Sequence, residues 1–274
     1  MNVKNRIFRL VFNPVISKNI KFKNKHKDES CYVIGNGASL KYFDISKFTD
    51  KVSIGCSLLN AHNDFELLDL RYYYVSAPLF FYSFWRNPYT KRYEKNRPSV
   101  IYRKKIKKYS DVQYFTSISN FFGLRGENIN YVYHFDFVND RDLGYEMDKY
   151  FTMMSGSMIG MIGIALYLGF KDITLIGCDY TFIPKMRGHF YENGQFSDSH
   201  DNVAFQADIL RLVQKKIKIR SITPNETYRG HIIPSITYSD LVGEKEFYKE
   251  NNLLVSEEDL REMNLQNMIY KIYS

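Results

Sequence analysis

The stretch SGSMIGMIGIALYLGFKDITLIGCDY, residues 155–180, decides the fold. Its first half, 155–170, is apolar, small and free of charge, with glycines at Gly156, Gly160, Gly163 and Gly169. A membrane span needs about 18 or more apolar residues, and no segment of the chain reaches that length. The run therefore reads as a buried helix, whose small residues (Ser155, Gly156, Gly160, Gly163, Ala165) permit close approach to a sheet. The second half, DITLIGCD (172–179), is rich in β-branched residues and ends in a lone acid, Asp179. A continuous apolar run of this length is the pattern of a strand buried on both faces.

Working outward, similar runs recur at CYVIGNG (31–37), KVSIGCS (51–57), LRYYYVSAP (70–78), DVQYFTS (111–117), NINYVYHFD (128–136) and KIRSIT (218–223). Helical patterns fall at 201–215 and after Ser256, where Asp259 stands at capping-box spacing. Strands that alternate with helices and are apolar throughout predict an α/β fold, with a Rossmann-like, mostly parallel sheet covered by helices on both faces. The expected division is a basic tail over 1–27, a single nucleotide-binding domain over 28–245 and a C-terminal helical segment over 246–274. Within the domain, 79–110 reads as a basic, aromatic insertion and 181–200 as a lid-like loop.

The net charge of +8 is uneven. Residues 1–27 carry Lys4, Arg6, Arg9, Lys18, Lys21, Lys23, Lys25 and Lys27 and no acid, which leaves the rest formally neutral. Arg6 and Arg9 interrupt the apolar residues Ile7, Phe8, Leu10, Val11 and Phe12, so the segment is amphipathic and unlike a signal peptide. It is expected to be dispensable for folding and to attach to an anionic membrane surface. Cys31, Cys56 and Cys178 match no metal spacing, and an odd count argues against a secreted disulfide framework. Buried thiols in the reducing cytoplasm are expected, with attachment at the inner face of a membrane.

In parallel sheets ligands bind beyond the carboxyl ends of the strands. Three features fall there: Gly35-Asn36-Gly37 followed by Ser39, Cys56-Ser57, and Asp179-Tyr180. The glycine turn offers unobstructed backbone N–H groups for a phosphate. Ser155-Gly156, at a helix start, is a second anion-binding candidate. His189 and His200 flank the polar loop after Asp179, with Tyr191 between them. The chain has no Walker motif and no zinc spacing. No metal and no cofactor are expected.

Three elements resemble the bacterial CMP-sialic-acid-dependent sialyltransferases of glycosyltransferase family forty-two: VIGNGASL (33–40), the stretch 155–180, and SHDNVAFQADILRLVQKKIKIRSITPN (199–225). The resemblance implies a CMP-sugar donor and a surface glycan acceptor, such as lipopolysaccharide or capsule. It makes Asn36 a phosphate or ribose contact, Ser155 and Gly156 cytidine-side contacts, Asp179 a ribose or sugar contact, His200 the general base with His189 secondary, and Tyr191 a donor to the leaving phosphate. Ser57 and Thr181 stand where the family has asparagine and tyrosine. Ulosonic acids other than N-acetylneuraminic acid are therefore open as donor sugar, and a homo-oligomer is open as the assembly. Two other classes compete: a nucleotide- or pterin-dependent pyrophosphokinase using the same turns, and a non-catalytic glycan or polyanion-binding module using the basic stretch 86–108.

Overall fold

The computed structural model describes residues 3–82, 84–86, 93–95, 97–133, 143–153, 156–193 and 203–266. Eight apolar runs pair into one parallel sheet: Ser30–Ile34 (β1), Ser53–Cys56 (β2), Leu70–Val75 (β3), Gln113–Ser117 (β4), Ile129–Val132 (β5), Asp172–Ile176 (β6), Lys218–Thr223 (β7) and Ser235–Thr237 (β8). The spatial order is β8-β7-β6-β1-β2-β3-β4-β5. Every neighbouring pair is parallel. The order reverses between β1 and β6, because the chain moves one way from β1 to β2 and the other way from β6 to β7. Such a switch point leaves a crevice outside the carboxyl ends of its two central strands. β1 and β6 run in register from Ser30↔Asp172 to Ile34↔Ile176, so their carboxyl ends leave the sheet side by side.

Burial on both faces explains the unbroken apolar runs. Tyr72, Tyr73 and Tyr74 on β3 are all essentially inaccessible, and they alternate between two cores. One core holds Gly156–Leu168 (α3) and Val203–Gln214 (α4). The other holds Arg97–Lys108 (α2), the short turns after β1 and β2, and Glu257–Gln266 (α5). Residues 158–168 of α3 are buried all round, which is why that helix shows no polar face. Its glycines set the approach distance: a Cβ on Gly160 would lie 2.1 Å from the Tyr74 ring. Among the described residues, no helix is long and apolar enough to cross a membrane. The three cysteines are free and buried, and burial pushes the Cys56 thiol up to about 12.

Part of the segment expected as a tail packs against the sheet. Val3–Ile16 forms a helix (α1), and from Ile16 onward the segment belongs to the fold. Ile16, Asn19, Phe22 and His26 are buried. The Asn19 amide donates to Tyr131 O (2.8 Å) and Met147 O (2.9 Å), which covers the open edge at β5. The N–H groups of Asn24, His26 and Asp28 donate to Tyr167, Leu168 and Gly169. These carbonyls lie at the C-terminus of α3, where a helix leaves acceptors unpaired. His26 stacks on Phe170, with ring centroids 4.7 Å apart, and its Nε2 lies 2.8 Å from the Tyr72 hydroxyl. Charge composition marks a tail, yet four side chains spaced three to four residues apart are buried. Within the expected lid, Phe190, Tyr191 and Glu192 have no solvent exposure.

A chain beginning at residue 30 should therefore lose cooperative folding. Phe22→Ala, which empties a site between Tyr72 and Phe115, should cost about 3–5 kcal/mol in urea denaturation. An unchanged midpoint in the Phe22 variant would restore the tail to a dispensable role.

Candidate functional site

The switch-point crevice is built on a close approach of two turns. Gly35 N–H donates to Ile176 O (2.8 Å) and Gly37 N–H to Gly177 O (2.9 Å), extending the β1–β6 ladder past both strands. A Cβ on Gly35 would lie 2.4 Å from Gly177 O, and one on Gly37 2.5 Å from the Asp179 carboxylate. Glycine is required at 35 and 37 by space. At Gly177 it is also favoured by a φ of 64°.

Asp179 follows β6 and turns its carboxylate under the glycine turn. Its Oδ2 accepts from Ser39 N–H at 2.8 Å and its Oδ1 from Ser39 Oγ at 2.5 Å. The residue is 3% exposed, so its direct task is to hold the turn; the ribose contact implied by the resemblance would require it to face the crevice. Burial pushes the Asp179 carboxyl up to about 6, while the Ser39 hydrogen bonds and the nearby His189 oppose the rise.

One flank is the 189–192 loop. His189 forms an antiparallel bridge with Gly37, and Phe190 N–H donates to Asn36 O at 3.2 Å. The Asn36 amide reaches the Tyr191 hydroxyl at 3.4 Å, and the Tyr191 ring stacks on His189 at 5.1 Å. Glu192 accepts from His189 N–H (2.9 Å) and pairs with His189 Nδ1 (3.0 Å). A carboxylate on Nδ1 fixes the neutral tautomer, leaving the lone pair on Nε2. Lys41, itself buried, donates to Glu192 O at 2.6 Å, and burial lowers its pKa. Asn251 donates to Tyr191 O at 3.0 Å. The C-terminal segment thus braces the loop from behind.

The opposite flank joins β2, β3 and α3 through hydroxyls. Ser157 Oγ lies 3.4 Å from Ser57 Oγ and 3.1 Å from Ser76 Oγ. Ser57 has a φ of 54°, a left-handed conformation that costs a non-glycine residue energy and that collects at functional sites. Gly156, at the start of α3, has a φ of 84°. Further along the segment after β2, Asn60 is fully buried with neither amide atom hydrogen-bonded among the described residues. His62 lies 5.3 Å from Phe190, ring to ring. Its Nδ1 accepts from Asp64 N–H, and Nε2 has no partner among the described residues. Burial holds His62 down to about 4, so the ring is neutral near neutral pH.

Of the residues singled out in the sequence, Gly35, Asn36, Gly37, Ser39, Asp179, His189 and Tyr191 come together at one point. Ser57 and Gly156 belong to the opposite flank. Tyr180 sits beside Asp179, partly exposed, with Lys185 over its ring at 4.6 Å. His200 and Ser155 lie outside the described residues. Sequence reasoning missed Glu192, Lys41, Asn60 and Ser76. The spacing of Glu192 from His189, three residues on, was a usable signal; the contact between Lys41 and Glu192 spans 151 positions and left none. In the basic stretch proposed for polyanions three lysines are paired: Lys104 with Glu258 (2.7 Å), Lys105 with Asp259 (2.8 Å) and Lys108 with Glu66 (2.5 Å). Among the described residues, no group of three His, Cys, Asp or Glu side chains converges on a common point.

No protein-family model matches the chain, and no curated protein matches it. Among solved structures, the sialyltransferase CstII from Campylobacter jejuni, in complex with cytidine-5'-monophosphate, overlays with a TM-score of 0.41 at 18% identity, over 73% of this chain and 82% of that one. CstII with CMP-3FNeuAc gives 0.39 at 18% identity, over 83% and 90%. The MAf glycosyltransferase from Magnetospirillum magneticum gives 0.44 at 8% identity, over 94% of this chain and 42% of its own.

The two perturbed groups have opposite effects on stability. Asp179 has a folded pKa raised above the ordinary carboxyl value, so its contribution is present below pH 4 and lost as pH rises through 6. His62 has a lowered folded pKa, so its contribution is present above pH 6.5 and lost as pH falls through 4. The two largely offset each other. Asp179→Asn should unmask the histidine: the stability difference, variant minus wild type, should rise by about 3 kcal/mol between pH 4 and pH 7. A pH-independent difference would mean that Asp179 is not held protonated by burial.

Proposed function

We propose that this protein is a glycosyltransferase that moves a sialic-acid-like or other ulosonic acid from a CMP-sugar to a hydroxyl of a surface glycan, with inversion at the anomeric carbon. The observation that carries this reading is the Gly35-Asn36-Gly37 turn at the switch point, held from below by Asp179 and flanked by Asn36, His189 and Tyr191. What supports a phosphate seat is the partly exposed Asn36 amide and His189 imidazole at the turn, with the Tyr191 hydroxyl behind Asn36 and the Asp179 carboxylate turned away beneath. The family resemblance of 33–40, 155–180 and 199–225 supplies the cytidine and the sugar.

In the reaction, the bond between the anomeric carbon and the CMP phosphate oxygen breaks as the acceptor oxygen bonds from the opposite face. The acceptor proton passes to a base, and CMP departs with the bonding electrons. A histidine near its ordinary pKa suits the base. The resemblance assigns that role to His200. His189 and Tyr191 stand beside the phosphate seat, so they serve the departing phosphate.

Two measurements test this. In a thermal-shift panel, CMP at a hundredfold over Kd should stabilise the protein by about 2.7 kcal/mol, with UDP and ATP giving less. Stabilisation by UDP or ATP alone would discard the donor. In turnover assays at saturating donor, His200→Ala should lower kcat by roughly 10²-fold or more with CMP affinity nearly unchanged, while His189→Ala should weaken CMP binding. Near-normal turnover in the His200 variant would move the base to His189.

A further inference from the structure

We infer that the face formed by α1, the turn after it and the β4–β5 connection is a docking surface for an anionic lipid bilayer. Leu10 (76% exposed), Val11 (63%) and Ile20 (55%) project from the N-terminal segment, and Phe122 (72%) projects from the connection. The two elements are neighbours, since the Phe12 and Phe121 rings meet edge to face at 5.7 Å. Between them lies a cleft of about 480 Å³ lined by Val15, Lys18, Lys21, Phe121, Arg125 and Glu127 among others.

Charge selects the occupant. Residues 1–27 hold eight basic residues and no acid. Among the described residues, no carboxylate pairs with Lys18, Lys21 or Arg125, although Glu127 lies at the cleft. Three lysines of α2, by contrast, are matched by Glu258, Asp259 and Glu66. Arg125 instead lies over the Phe121 and Phe122 rings, at 4.5 and 5.7 Å. Protruding apolar side chains ringed by unpaired cations fit an interface where headgroups are anionic and acyl chains lie just below. An aqueous protein partner would favour covering these groups; an anionic bilayer satisfies both at once.

Co-sedimentation of the full chain with vesicles tests the surface. The wild type should bind phosphatidylglycerol–phosphatidylcholine vesicles and not phosphatidylcholine alone. Binding should weaken in about 0.5 M salt, where the screening length shrinks to roughly 4 Å. The pair Lys21→Glu with Arg125→Glu should reduce partitioning at least about tenfold. The pair Leu10→Ser with Phe122→Ser should reduce it roughly fivefold or more and abolish what survives high salt. All four side chains are exposed, so melting temperatures should hold, and that control accompanies the assay. No binding by the full chain, equal binding to neutral vesicles, or anionic binding indifferent to both pairs would each overturn the assignment.

Discussion

A buried carboxylate ties together the two turns that open the crevice. Asp179 leaves β6, reaches under the turn that leaves β1, and holds it through the backbone and hydroxyl of Ser39. Only without side chains at Gly35 and Gly37 can the turns come this close, because any Cβ there would meet Gly177 or Asp179 itself. A polar group taken out of water is tolerated when its hydrogen bonds are made, and Asp179 makes them with the turn it positions. The same contact fixes where His189 lies, since its main chain bridges to Gly37. Turn, histidine and tyrosine are therefore one unit, assembled from segments 140 to 155 positions apart.

A second layer keeps that unit rigid. The fully buried Glu192 side chain orients His189 through two hydrogen bonds, and the buried Lys41 ammonium holds the Glu192 carbonyl. Buried charges need such partners, and these come from the chain after β1 and from the loop itself. Asn251 and the bridge between His62 and Val255 bring in the C-terminal segment. The part of the chain that sequence patterning treats as an appendage thus supports the crevice.

The sheet was legible because its strands are buried on both faces, so β1 and β6 read as apolar runs with the observed bounds nearly in place. The glycine turn and Asp179 were legible as the features at the strand ends. What escaped notice depends on contacts that leave no local pattern. β8 has three residues, too few for periodicity to register. Residues 16–28 carry five lysines, and their burial rests on Ile16, Asn19, Phe22 and His26, spaced three to four apart but half of them polar, so charge masked the pattern. Asp179 reads in the sequence as a ligand contact at a strand end, while its carboxylate lies under the glycine turn, because sequence cannot tell which side of a turn a carboxylate will take.

The central claim is that a nucleotide phosphate is received by the turn above Asp179. Hydrogen–deuterium exchange with and without CMP measures this directly, since a phosphate on backbone N–H groups slows their exchange. The account predicts protection concentrated in peptides covering 33–42 and 177–193, with little change across α2 and the β4–β5 connection. Protection confined to those latter elements, or none at either turn at saturating CMP, would contradict it.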